Sequence, residues 1–493
     1  MHIVVTAALI ILVAHLVLGV ILWLRVRKIY CYPGLLGFPV FGNLYYFYKT
    51  LLPSNMDYMV NTLDVMAKQH GKDGLCFCWT SGYKLTVLIT SPHITKEIGF
   101  HPNLADKPAF MYGGSTPYIE GIFNSERADD LWKLKRKEYS IFLKKTSVDR
   151  DYFNTFIKCS DKMIDFMLAS PSAADIHHAT ISLMLYTSLR TLFGNETSLI
   201  SHPKNLKLIL WMNNLITYIM VNPRLAALFL SIFRRVDGLF FPKGAELRTW
   251  ILENSIKTVK SSKGPTPDKE KNLSLQITSR SLKCNNSINV LIKELQELFL
   301  ISTHTLTGAL ASSIIFLAIQ PDMQEKAWKE QHEIFGNDER DPTLEDMERM
   351  EFLDRFIKES LRFAGPSFLG KLATGDININ GITIPEGAGV VFLIRCMRMD
   401  PEYWKNPKVF DPDRYLDEDE TSKLCYAPFG VGVRACPANY FSTKLMKVTL
   451  SKILRRLKLR PVEENFRFED IKFECAVMTE ITNPPLLKIE ERA

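Results

Sequence analysis

Ten residues near the C terminus, Phe429-Gly430-Val431-Gly432-Val433-Arg434-Ala435-Cys436-Pro437-Ala438, carry the densest chemistry in the sequence. Two glycines let the backbone turn tightly under a flat ligand, where a Cβ would obstruct. Pro437 suits the first position of a helix, where its missing N–H has no partner to lose. Cys436 is then expected at a helix N terminus, whose dipoles favour a thiolate over a thiol. A thiolate so placed can bind iron axially and push electron density toward O–O cleavage. Arg434 is a cation suited to a carboxylate on the same ligand. The competing reading is a buried structural cysteine after a Gly-rich turn.

Four other patterns stand upstream. Glu359-Ser-Leu-Arg362 places an acid and a base at i,i+3, neighbours on a helix. Glu464-Asn-Phe-Arg467 has the same spacing without supporting context, whereas Glu359 is followed by FDPDRY, residues 410–415, with Arg414. Trp132-Lys-Leu-Lys-Arg136 puts an indole and a guanidinium one turn apart on one face. Taken alone, it reads as a basic surface helix with one aromatic anchor. Ile301-Ser302-Thr303-His304-Thr305 lies inside a long apolar helical pattern. His304 can pass protons near neutral pH, although a lone helical histidine is more often structural.

In this order the motifs resemble those of the cytochrome P-450 superfamily, whose cysteine loop reads F-x-x-G-x-R-x-C-x-G. Phe429, Gly432, Arg434 and Cys436 match it, and Ala438 stands where glycine is usual. The resemblance implies haem b with Cys436 as axial ligand and Phe429 and Arg434 against the cofactor. It implies that Trp132 and Arg136 hold a propionate. Lys371 falls where the family often has a propionate-binding arginine. Glu359, Arg362 and Arg414 become a structural network beneath the haem. The A-G-x-D/E-T pattern of the family keeps its threonine as Thr305, which there bonds to dioxygen, while His304 replaces the acid.

The run from EIFG through PTLEDM to FLDRFIKESLR looks most like the branch containing animal fatty-acid omega-hydroxylases. Some members of that branch bind haem covalently through a glutamate at the position of Ile301, and isoleucine cannot form that ester. The fold implied is mainly α, one large helical domain with small β-sheets. The reaction implied is insertion of one oxygen atom from O2 into a lipophilic substrate such as a fatty acid, steroid or xenobiotic. Electrons would come from NADPH through a flavoprotein reductase, with Lys133, Lys135, Lys137, Lys444 and Lys447 as its docking face. The altered 301–305 segment keeps two rivals open: a haem-thiolate isomerase, dehydratase or peroxide user, and a haem- or lipid-binding protein without turnover.

Those motifs must be carried by an ordinary globular composition: 493 residues, 46% hydrophobic and 23% charged, with a formal net charge of +7. So mild a basic excess favours a docking face or an anionic membrane surface over nucleic acid. Nine cysteines, an odd number without a CxxC pair, point to a reducing compartment. Residues 3–24 are apolar and long enough to span a bilayer, and Arg25, Arg27 and Lys28 follow. With the basic side cytosolic, residues 1–28 form a single-pass anchor in the endoplasmic reticulum membrane. The sequons at Asn195, Asn272 and Asn285 then never meet the glycosylation machinery.

Residues 29–50, rich in Pro and Gly, read as a stiff elbow, and 51–493 as the catalytic domain. Within that domain, Lys84–Thr90 reads as a strand, 206–233 as two amphipathic helices about a proline turn, and 261–272 as a surface loop. A helix of roughly 50 Å is expected from Ser287 to Gln320, ended by Pro321. Asn380-Gly381 marks a hairpin, and a last helix should run from near Cys436 to about Arg456.

Overall fold

The computed structural model describes residues 56–81, 84–108, 121–123, 125–193, 288–417, 420–475 and 477–492, with isolated positions elsewhere. The 206–233 and 261–272 segments, the three sequons and most of the 1–28 anchor lie outside the described residues.

The expected long helix is present as Ile288–Ile319, about 48 Å at 1.5 Å per residue. Its apolar stretch is long enough to cross a bilayer, but most of it is buried in the protein's own core. Leu310, Ile314, Phe316 and Leu317 are fully enclosed there. Pro321 ends this helix and opens the next, Pro321–Phe335, because a first-turn proline has no N–H to leave unpaired.

The helical pattern of residues 344–363 divides into Leu344–Arg349 and Glu351–Ala364. Met350, fully buried, has non-helical dihedrals at the break. The N–H groups that the break orphans are received by the Glu330 carboxylate, from Phe352 and from Leu353 at 3.0 Å. Helix Glu351–Ala364 turns Phe356, Ile357 and Leu361 inward, and Glu359 and Arg362 with them. Its neighbour Phe363 joins Phe316, Phe410, Phe468 and Phe473 in an aromatic cluster, with centroids 5.1 Å apart for Phe363–Phe468 and Phe316–Phe410. Such tilted ring pairs favour edge-to-face contact beyond simple area burial.

Strands β1 (Leu75–Ser81), β2 (Lys84–Ile89), β3 (Leu369–Leu372) and β6 (Gly389–Phe392) form one sheet in the order β1-β2-β6-β3. The β2–β6 pair is parallel, with Thr86 opposite Gly389, and brings Lys371 on β3 beside chain from the first quarter of the sequence. The hairpin at Asn380-Gly381 joins β4 (Ile377–Ile379) to β5 (Ile382–Ile384). Both turn residues have positive φ, 49° and 79°, as a type I′ turn requires. The two short pairs of β7 (Leu457–Pro461) with β10 (Leu487–Glu491) and β8 (Phe473–Cys475) with β9 (Thr479–Ile481) complete the described strands.

The described part of the elbow is fastened to the body rather than standing clear of it. Leu35 N–H donates to the Phe77 carbonyl at 2.9 Å, and Phe77 N–H to that of Pro33 at 2.8 Å. A Cβ on Gly34 would lie 2.1 Å from the Phe77 oxygen, so only glycine allows this approach.

Candidate functional site

The Cys436 loop is drawn into a tight knot by its own backbone. Cys436 N–H donates to the Phe429 carbonyl at 2.7 Å, and Ala435 N–H to that of Gly432 at 3.0 Å. Gly430 and Gly432 adopt left-handed φ of 78° and 73°. A Cβ on Gly432 would meet the Gly99 oxygen at 2.0 Å and Lys371 Nζ at 2.9 Å. Half-buried Phe429 packs on the helical core.

The last helix begins at Asn439, not at Pro437, so Cys436 precedes it by a turn. The dipole effect expected at Cys436 therefore reduces to one contact, the Ala438 N–H donating to Sγ at 3.4 Å. Burial pushes the thiol up, and this N–H and the Arg136 guanidinium pull it back. Cys436 is nonetheless the exposed one of the described cysteines.

Cations gather beside this loop. Arg434 donates to the carbonyls of Ala105 (2.7 Å), Ile122 (3.3 Å) and Glu126 (3.3 Å), and its guanidinium lies 4.2 Å over the Trp132 ring. Trp132 and Arg136 share a face of helix Asp130–Leu143, capped by Asp129. Their donors meet backbone in this structure: Trp132 Nε1–H donates to Ile122 at 2.9 Å and Arg136 Nη2–H to Ala435 at 2.6 Å. Lys371, 3% exposed, donates to Gly99 at 2.8 Å and Val431 at 3.1 Å.

The sequence reading missed Lys107, buried in the same group and donating to the Phe123 carbonyl. Burial, then repulsion from Arg434, lowers Lys107 to about 7 and Lys371 to about 8. Like charges held so close fit a ligand that carries carboxylates. Among the described residues no three His, Cys, Asp or Glu side chains gather as a metal cage. A single protein thiolate suits a cofactor that brings its own equatorial ligands, and haem fits both features.

The structure brings the Glu359 group together. Glu359 and Arg362 are wholly buried and form a bidentate pair, 2.8 and 2.9 Å. Glu359 also accepts from Arg414 Nε at 3.0 Å, Tyr415 Oη at 3.2 Å and Asp411 N–H at 2.9 Å. Arg362 spends another donor on the Arg398 carbonyl at 2.9 Å. Glu464 and Arg467, by contrast, lie exposed outside any helix.

The third group sits on the long helix. Thr305 Oγ1–H donates to the Ile301 carbonyl at 3.3 Å, the back-bond usual for a helical threonine. His304 Nδ1 is 3.9 Å from Glu480 Oε1 on β9. No pattern linked these two, because Glu480 reaches the helix only through the C-terminal hairpin. Ser302 bonds Ser188 of helix Ile176–Phe193 at 2.8 Å.

The lysines read as one docking face divide. Lys135, Lys444 and Lys447 are buried, turned toward Glu294 (3.1 Å), Asp149 (3.9 Å) and Asp354 (2.6 Å). A long apolar stem on a core-facing helix position explains their burial, which charge counting does not register. Lys133 and Lys137 are exposed.

Comparison with known proteins was made against this geometry. A family model described as Cytochrome P450 matches residues 33–486. Cytochrome P450 4c21 of Blattella germanica is 35% identical over 199 residues, 39% of each chain. Cytochrome P450 3A5 of Homo sapiens is 29% identical over 272 residues, 53% of each chain. Cytochrome P450 4d2 of Drosophila melanogaster is 33% identical over 175 residues, 35% of each chain. The chain thus spans 39% and 53% of the length of the first two relatives. Because the family match runs from the Pro-Gly segment to the start of the final strand, this chain belongs to the cytochrome P450 family, which implies haem with a cysteine thiolate on its iron.

Proposed function

We propose that this protein is a haem-thiolate monooxygenase acting on a lipophilic substrate, a fatty acid, steroid or xenobiotic. The observation that carries this reading is the glycine-knotted Cys436 loop with buried Lys371 bonded against it and Lys107 and Arg434 alongside. When bound, haem supplies the insertion of one atom of dioxygen into substrate while the other leaves as water. Cys436 holds the iron. Arg434, Arg136, Lys371 and Trp132 hold or orient the propionates, and Phe429 packs beside the ring. Glu359, Arg362 and Arg414 keep the underlying backbone rigid. Ile301 offers no carboxylate for an ester, so the porphyrin is non-covalent.

Thr305 and His304 serve proton delivery in this reading. Glu480 returns a carboxylate to a segment whose own acid is replaced by histidine. Electrons come from NADPH through a flavoprotein reductase that docks on Lys133 and Lys137. Residues 3–24 anchor the protein in the endoplasmic reticulum membrane, with residues 51–493 as a cytosolic catalytic domain. In support, the described positions Leu9, Ile10, Val13, Val17 and Ile21 are helical and present their apolar side chains uncovered. A second reading, a haem-thiolate isomerase, dehydratase or peroxide user, draws on the Thr305 hydroxyl being engaged by Ile301.

The decisive test begins with the carbon-monoxide complex of the reduced protein, which should give the red-shifted Soret band of a thiolate ligand. Cys436→Ala should abolish it; a mutant that keeps the band removes Cys436 from the site. With reductase, NADPH and a lipid panel, product formed in proportion to NADPH separates the monooxygenase from its rivals. Turnover without NADPH would instead favour the second reading.

A further inference from the structure

We infer that Glu297 is a positioning residue for the cofactor's carboxylates, acting through the backbone of residues 121–123. The inference rests on the haem site proposed above. Glu297 stands on the long helix, 1% exposed. Its Oε2 accepts the Gly121 N–H at 2.8 Å and its Oε1 the Phe123 N–H at 2.8 Å. A carboxylate that grips alternate N–H groups pins the residue between them, which is Ile122. Both bonds are charge-assisted, the stronger class of hydrogen bond.

The carbonyls of this pinned segment receive the indole of Trp132, Lys107 and one of the bonds of Arg434. Ile122 receives Trp132 Nε1–H at 2.9 Å and Arg434 Nη1–H at 3.3 Å. The neighbouring Phe123 carbonyl receives Lys107, whose ammonium also lies 3.8 Å over the Phe123 ring. The approach is so close that a Cβ on Gly121 would lie 2.4 Å from Glu297 Oε1.

One turn earlier, Glu294 does a different job. It takes Lys135 at 3.1 Å, Tyr139 and Arg280, fastening the long helix to helix Asp130–Leu143. Glu294 therefore joins helix to helix, while Glu297 sets the peptide against which Arg434, Trp132 and Lys107 are aimed. A planar, rigid guanidinium is oriented as a unit by such a fixed acceptor.

The experiment measures the rate at which the full-length haem-loaded protein loses its cofactor to excess apomyoglobin. It is run with haem b and with its dimethyl ester, which lacks propionate charge. Wild type should release the ester about tenfold faster than haem b, the effect of one charge-assisted hydrogen bond. Glu297→Gln should quicken loss of haem b about tenfold and leave loss of the ester nearly unchanged, erasing the preference. Gly121→Ala, which displaces the carboxylate without altering any charge, should erase it as well. Should Glu297→Gln not accumulate as holoprotein, Glu297→Asp and Gly121→Ala carry the same comparison. Variants that lose both cofactors faster by one common factor keep the preference, and the inference is then overturned because the role is structural. No preference in wild type would overturn the propionate reading itself.

Discussion

Around Glu359 two arginines close on one buried carboxylate, whereas around Arg434 the buried cations rest on backbone carbonyls. Both clusters are made of similar side chains and both are held out of water. In the first, the bidentate pair, Arg414, Tyr415 and the Asp411 N–H saturate the carboxylate. In the second, Lys371 and Lys107 are pulled down by burial and by Arg434. The nearby acid Glu297 is itself taken by two backbone N–H groups. A closed cluster fixes backbone, and cations buried close together suit a ligand that carries carboxylates. Arg398 lies between these cases: fully buried, it donates to the Leu361 and Pro366 carbonyls, and burial with Arg395 and Arg362 nearby lowers it to about 9.

The contrast breaks most visibly at Glu359. Glu359→Ala strands two guanidinium groups without their carboxylate and should cost about 3–5 kcal/mol in denaturant unfolding of the haem-loaded protein. Glu464→Ala, with the same sequence spacing on an exposed turn, should change stability by under about 0.5 kcal/mol. Equal losses would remove the Glu359 assignment.

The open cluster should show itself through pH in the cofactor-free protein. Lys371 and Lys107 release their protons at about 8 and about 7 when folded, against an ordinary 10.5. Between those values the unfolded chain binds more protons, so stability should rise as pH climbs through the window. Lys371→Met should roughly halve that rise above about pH 8, leaving the share of Lys107, and stabilise the cofactor-free protein at pH 7 by about 1–3 kcal/mol. Haem loading should flatten the same slope. A slope unaffected by Lys371→Met would mean that this lysine is not desolvated as described.

Smaller effects are expected on the long helix. His304→Asp should raise product formed per NADPH by about twofold, a change of some 0.4 kcal/mol in partitioning. Thr305→Ala and Glu480→Gln should each lower that ratio. If none of the three moves it, residues 301–305 take no part in proton delivery. The smallest effect belongs to the surface: Lys133→Glu with Lys137→Glu should raise the reductase concentration for half-maximal turnover by less than about tenfold, fading with salt. Lys447→Glu, which buries a carboxylate beside half-exposed Asp354 in place of its cation, should instead lower thermal stability.

Much of the closed cluster was legible because it is local. Glu359 and Arg362 are neighbours through helical geometry, and the FDPDRY run supplies Arg414. The hairpin at Asn380-Gly381 and the strand at 84–89 were legible for the same reason, since turn chemistry and alternation act within a few residues. The split at Met350 was not, because the carboxylate that caps the second helix comes from Glu330 on another helix. Burial of Lys135, Lys444 and Lys447 was hidden for a related reason, their neighbours being set by packing.

By itself, then, the sequence determined the family, the cysteine loop with its two glycines, the long helix and the two arginine partners of Glu359, while Tyr415 and the Asp411 N–H came only with the structure. Each rests on short-range spacing or on motif order, which chain connectivity carries intact. Tertiary structure alone decided which groups from distant segments meet. It placed Lys107 beside Arg434, turned Glu480 toward His304 and laid Gly121 and Phe123 across Glu297. Those meetings depend on how helices and sheet pack, and packing is summed over the whole core, so no local pattern records it.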